Sequence, residues 1–409
     1  VRSGDPSRFP SETRAAAINP TAGGEATSSP LSLYVHIPWC VRKCPYCDFN
    51  SHAARESIPE AAYVEALIGD LDRDLAGRAR TLAPLVAVFI GGGTPSLFSG
   101  AAIARLLAGV RQRLPLDRAT EITLEANPGT ADAANFAAYR EAGVNRLSLG
   151  VQSLSADRLR DLGRIHGPDE ARRAFRLARQ AGFDNINLDL MYGLPHQNLL
   201  QAREDLTLAL ALEPEHLSYY QLTLEPNTPF HATPPPLPDD DLGADMQLQG
   251  LELLSASGFA QYEVSAHARS GRQCRHNLNY WTFGDYIGIG AGAHAKRRDP
   301  LSGLTWRQAK PRQPLAYLQA LGGRDPVGSR WMLQDEDLIL EFAMNALRLT
   351  GGFDRRLFTE STGLDLNRLE APLTSAAKAG MLEIRGPWVR PTERGRWFLN
   401  DLLGYFMPE

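Results

Sequence analysis

The chain has 409 residues, 43% of them hydrophobic and 22% charged, and a formal net charge of −4. That composition suits a globular chain with more than one core and gives no electrostatic reason to expect nucleic acid as a partner. Three of the four cysteines fall within eight residues, a poor disulfide framework that points to reduced thiols used as ligands in the cytoplasm, and no run of roughly eighteen apolar residues is present to span a bilayer.

Residues 1–30 are rich in Ser, Thr, Pro, Gly and Ala and lack an apolar segment, which predicts a disordered tail rather than a signal peptide. From residue 31 short apolar runs alternate with amphipathic stretches. LYVHI (33–37), LVAVFI (85–90), EITLEA (121–126), RLSLGV (146–151), INLDLM (186–191) and HLSYYQL (216–222) read as strands. The segments 59–75, 100–114 and 132–143 between them read as helices. This alternation predicts βαβ units and a parallel sheet. With no G-x-G-x-x-G after the first strand, the expected fold is α/β, a partial (β/α)6 TIM-like barrel.

Each predicted strand ends in groups unusual for a core: Cys40, Cys44 and Cys47 after the first, Gly91 to Pro95 after the second, Glu125 and Asn127 on the third. Gln152 ends the fourth, Asp189 and Tyr192 the fifth, and Thr223 follows the sixth. Active sites of parallel barrels gather at that end. A proline- and acid-rich break at 233–241 opens an extension holding the Gly- and aromatic-rich segment 274–295. After about 331, two helical stretches and a hairpin-like LEIRGPWVRP suggest a winged-helix-like module. The expected division is a tail (1–30), a parallel α/β domain (31–232), an extension (233–330) and a C-terminal module (331–409).

CVRKCPYCDF carries Cys-x3-Cys-x2-Cys spacing. Three thiolates on a tight loop can hold three irons of a [4Fe–4S] cluster and leave the fourth open to a small chelate, whereas electron-transfer clusters take four cysteines. The bland alternative is a structural zinc with His52 as fourth ligand. It is disfavoured because zinc knuckles usually pair two Cys-x2-Cys units.

YVHIPWCVRKCPYCDF followed by GGGTP resembles the radical S-adenosylmethionine superfamily, in the branch of oxygen-independent coproporphyrinogen III oxidase and its haem-chaperone relatives. The resemblance spans roughly residues 31–400. It implies a [4Fe–4S] cluster on Cys40, Cys44 and Cys47, with S-adenosylmethionine chelating the open iron and yielding a 5′-deoxyadenosyl radical on reduction. It further implies S-adenosylmethionine contacts at Tyr34, Gly92, Gly93, Thr94, Glu125, Gln152, Arg164, Asp189 and Thr223. Phe49 stands where the oxidase carries a fourth loop cysteine, and nothing here matches the oxidase's N-terminal extension. His276 to Trp281 instead reads HNLNYW, matching the HNxxYW signature of the chaperones. The resemblance therefore implies a haem chaperone without coproporphyrinogen oxidase activity, with haem held by His276, Tyr280 and Trp281. Cys274 and His294 remain open as further ligands. The implied partners are a haem-acceptor protein such as a respiratory enzyme and an electron donor such as flavodoxin or ferredoxin. Any membrane association would be peripheral, through the acceptor, and the chain a monomer or dimer. The runner-up is the oxidase, or another radical enzyme.

Overall fold

The computed structural model describes residues 30–54, 57–76, 84–322 and 327–408; the expected tail, but for Pro30, lies outside the described residues. Six strand–helix units open the fold. The strands are β1 (Leu31–Ile37), β2 (Ala87–Gly92), β3 (Glu121–Ala126), β4 (Arg146–Gln152), β5 (Ile186–Tyr192) and β6 (His216–Gln221), all paired in parallel and in sequence order. Parallel pairing demands a crossover between neighbours, and the chain supplies helices for it. Among them are α1 (Glu60–Leu75), α2 (Gly100–Arg111) and α3 (Ala133–Ala142). Ser99 caps α2 by accepting from the Ala102 N–H at 3.2 Å, and Asp132 caps α3 through Ala134 and Asn135. Helix α3 stops at Gly143, whose φ of 105° a side chain would resist.

Period-two alternation in the strands decides what each face of the sheet carries. Leu33, Val35 and Ile37 alternate with Tyr34 and His36, and the three aliphatic side chains are fully buried in the main core with Tyr63, Val64 and Leu67 of α1. Each such burial contributes on the order of 1.5–3 kcal/mol against the entropy of ordering the chain. The other face is lined by polar side chains from five of the six strands, including Tyr34, Glu125, Arg146, Ser148, Asn187, Asp189, His216 and Tyr220.

The sheet does not end at these six strands. After β7 (Ala260–Gln261), β8 (Ala266–Ala268) adds antiparallel to β6, and β7 pairs antiparallel with β8 at the edge. On the far side, β9 (Asp285–Ile289) pairs parallel to β1, followed antiparallel by β10 (His294–Arg298), β11 (Thr305–Ala309) and β12 (Ser329–Met332). The twelve strands form one mixed sheet. Segment 274–295 thus holds a helix, Arg275–Trp281, and then a strand of the main sheet. The C-terminal part has its own core around Phe342, Phe358 and Leu373, built on helices Asp335–Ala346, Arg356–Thr362 and Asn367–Lys378. A three-stranded antiparallel sheet (Phe353–Asp354, Leu382–Arg385, Trp388–Pro391) completes it. Among the described residues no helix is long and apolar enough to cross a membrane.

Candidate functional site

The cysteine loop leaves the end of β1 and is closed by a two-residue parallel ladder, Trp39–Cys40 against His52–Ala53. Inside it the Cys47 N–H donates to the Cys44 carbonyl at 3.2 Å, and the Cys47 thiol lies 4.0 Å from the Ser51 hydroxyl. All three thiols are half-buried, and burial pushes Cys40 and Cys47 upward. The Arg164 guanidinium donates to Cys44 Sγ and to the Tyr46 hydroxyl, both at 3.4 Å, and to the Gly150 carbonyl at 2.7 Å. Those three bonds fix a positive charge beside the cysteine loop. Among the described residues no three of His, Cys, Asp and Glu are gathered for a single metal ion. Three thiols on one loop beside a fixed cation are a donor set that fits an iron–sulfur cluster.

Glycine makes room next to the loop. A Cβ on Gly93 would run into the backbone of Trp39, and one on Gly92, at φ 114°, into the His36 ring. The Gly92 N–H donates to Glu125 at 3.0 Å. His36 is held at both nitrogens, 2.9 Å from the Tyr34 hydroxyl and 2.8 Å from the Asn50 carbonyl. Tyr34, His36, Gly92 and Glu125 line one part of a pocket of about 470 Å³; Phe49, Tyr280, Tyr286, His294 and Arg312 line the rest.

Two carboxylates on this face are raised by their surroundings. Burial first, and then the negative charge of Asp189, push Glu125 up to about 8. Burial likewise raises Asp189, against hydrogen bonds from Ser218 and Asn187 and the more distant charges of Arg146 and Arg164. Neither makes an ion pair among the described residues. Two half-buried acids without an ion pair form a site suited to a positively charged ligand. Gln152, buried at φ 68°, holds a backbone conformation that costs a non-glycine residue about 1–3 kcal/mol, and its side chain accepts from Tyr220 at 2.9 Å. Such strain at a predicted contact marks a position where side-chain direction matters.

The structure thus gathers Tyr34, Gly92, Gly93, Thr94, Glu125, Gln152, Arg164 and Asp189 around the ends of β1 to β5. Thr223 lies apart: it is exposed beyond β6, and its hydroxyl donates to Glu225 at 2.7 Å.

The three motif residues on the helix Arg275–Trp281 go to three different places. His276 is 5% exposed, its ring stacked on Phe89 (4.8 Å between centroids) and on Tyr34 (6.1 Å), and burial pushes it down to about 3. Its Nδ1 is buried without a hydrogen-bond partner. Tyr280 lies 4.3 Å from Tyr286 and lines the pocket. Trp281 packs under the Arg348 guanidinium at 4.4 Å, towards the C-terminal core. Cys274 is buried, pushed up to about 12 chiefly by burial, and its thiol donates to Glu121 at 3.5 Å.

Sequence reasoning passed over His36, Arg146, Tyr220 and Arg307. The first three lie at the alternate positions of strands whose other positions are apolar, and that alternation is the signal that exposes them. Arg307, which donates to Tyr286 and Glu341, has no comparable signal, since its partners come from distant segments.

A family model described as the Radical SAM superfamily matches residues 34–209, and the HemN C-terminal domain matches residues 333–398. The chain is 51% identical over 381 residues to the heme chaperone HemW of Escherichia coli, spanning 93% of this chain and 99% of that one. It is 46% identical to the heme chaperone HemW of Haemophilus influenzae (93% and 98% covered) and 35% identical to that of Bacillus subtilis (92% and 99%). Among solved structures, coproporphyrinogen III oxidase (HemN) from Escherichia coli superimposes with a TM-score of 0.77 over 93% of this chain and 90% of that one. Its identity of 24% makes that a likeness of fold.

Proposed function

Because this chain belongs to the HemW family of the radical S-adenosylmethionine superfamily, we propose that it is a haem chaperone, carrying a cluster and S-adenosylmethionine and handing haem to an acceptor protein. The observation that carries this reading is the 51% identity spread over 93% of the chain, which takes in the HNxxYW segment as well as the cysteine loop. Phe49 at the position of the oxidase's fourth loop cysteine supports it against the oxidase.

On this reading the mixed sheet is a partial (β/α)6 barrel, and the C-terminal module is winged-helix-like. When bound, a [4Fe–4S] cluster supplies a single electron to S-adenosylmethionine. The chain's own groups do the holding. Cys40, Cys44 and Cys47 would carry three irons, and Arg164 would steady the thiolate of Cys44. Gly92, Gly93 and Thr94 would let the backbone approach the methionyl amine. Glu125 and Asp189 would meet the positive charge and the ribose hydroxyls, with Tyr34 and Gln152 fixing the geometry.

The acceptor is a haem protein such as a respiratory enzyme, and electrons come from flavodoxin or ferredoxin. Haem-loaded, cluster-reconstituted protein mixed with an apo-acceptor should give the acceptor's own haem spectrum. Formation of protoporphyrinogen IX from coproporphyrinogen III by the reduced protein would overturn the proposal in favour of the oxidase.

A further inference from the structure

We propose that His294 is the axial haem ligand of this chain, that Arg312 receives a haem propionate, and that the HNxxYW helix supplies a wall of the site through Tyr280. The inference rests on the haem-chaperone reading above and specifies its site.

His276 does not fit the role of ligand. Its ring is closed between Phe89 and Tyr34, and it is 5% exposed. Reaching iron would require undoing that stack together with the fixed start of its helix, where Glu121 accepts from the N–H groups of Arg275 (3.0 Å) and His276 (3.3 Å). Of the imidazoles lining the open pocket, His36 is engaged at both nitrogens. His294 is the exposed one, and among the described residues no hydrogen bond occupies its ring. Its surroundings favour the neutral imidazole, the form that binds iron, through partial burial and then the charges of Arg307 and Arg312.

The part of the pocket lining apart from Tyr34, Gly92 and Glu125, which face S-adenosylmethionine on the reading above, has the chemistry of a haem edge. Phe49, 60% exposed, and the paired rings of Tyr280 and Tyr286 offer an apolar surface. Arg312 lines the same space without an ion-pair partner among the described residues, and a guanidinium suits a carboxylate. The strand carrying His294 and the segment carrying Arg312 are tied to the cluster loop by one side chain. Asn50 donates to the carbonyls of Ala291 and Arg312, both at 2.9 Å, while its own carbonyl meets His36. The preceding turn is fixed as well: Gly290 N–H donates to Asp70 (3.2 Å) and Tyr317 (3.1 Å), and Ala291 N–H to Tyr63 (2.9 Å). A ligand site held on rigid elements in this way is pre-organised.

The test is anaerobic haem titration of the full chain with its cluster reconstituted, followed by optical and electron paramagnetic resonance spectra. Wild type, His294→Ala and His276→Phe are compared, the last keeping an aromatic ring in the stack. The expected result is a saturable Soret band in wild type and an unchanged one in His276→Phe. His294→Ala should lose at least about tenfold in affinity and shift its spectrum, and added imidazole should restore it. Undiminished, unshifted binding in His294→Ala overturns the assignment, as does loss of the band in His276→Phe with His294→Ala intact; both leave the chaperone reading standing. No saturable binding in wild type removes the chaperone reading and this inference with it.

Discussion

The two ends of the sheet's polar face carry the same kinds of side chain and treat them differently. Where strands begin, several buried polar groups are hydrogen-bonded within the protein. Glu121 accepts from the N–H groups of Arg275 and His276 and from Cys274, and His216 is hydrogen-bonded to Asn187 at 2.6 Å and to Tyr262 at 2.8 Å. Arg146 lies fully buried near Cys274, Glu121, Tyr262 and Asp189, and the carboxylates among them favour its protonated form against desolvation. Where strands end, Glu125 and Asp189 are half-buried without an ion pair, the half-buried thiols share one loop, and a pocket opens. Polar groups hydrogen-bonded to one another mark the end that holds the fold together, and carboxylates without an ion pair beside a pocket mark the end prepared for a ligand.

The largest effect expected from this contrast is at the cysteines. Alanine at Cys40, Cys44 or Cys47 should abolish reconstituted iron and S-adenosylmethionine binding, whereas Cys274→Ala should leave iron content unchanged; iron and sulfide analysis with the optical spectrum checks both. Next in size is Arg146→Met, which strips the buried cation from beside Glu121 and Asp189 and should cost about 3–5 kcal/mol in urea unfolding. A loss under 1 kcal/mol would mean the two ends are less distinct than their hydrogen bonds suggest.

At the other end Glu125 makes the difference visible through pH. Its carboxyl holds a proton up to about pH 8 in the ligand-free protein, while a cationic ligand needs the carboxylate. Affinity for S-adenosylmethionine should therefore rise with pH to about 8 and fall about tenfold per unit below it, and Glu125→Gln should flatten the profile in calorimetric titration. The linked stability runs the other way. The folded carboxyl keeps a proton that the unfolded one releases, so ligand-free stability should decline as pH rises from about 4.5 towards 8.

The smallest effect is at the chain of hydrogen bonds joining the two ends. The Cys274 N–H donates to the Tyr262 hydroxyl, which meets His216, then Asn187, whose amide donates to Asp189 at 2.8 Å. Tyr262→Phe leaves a buried N–H and an imidazole nitrogen unpaired and should cost about 1–3 kcal/mol, with little change in cluster iron.

Strand alternation, the cysteine spacing and the Gly-rich turn were written into local sequence, because pleat periodicity and loop geometry need only neighbours in the chain. They determined the six parallel units, the ligand set and most of the residues around the strand ends. Tertiary structure alone decided the fate of the HNxxYW motif. The pairing of β9 with β1, residues 31–35 against 285–289, seats the preceding helix over Tyr34 and Phe89. That contact buries His276, sends Tyr280 into the pocket and turns Trp281 towards the C-terminal core. The same pairing carries His294 to the pocket's rim beside the cluster loop. A side chain's accessibility is fixed by contacts across some 250 residues of sequence, and no local pattern encodes those contacts.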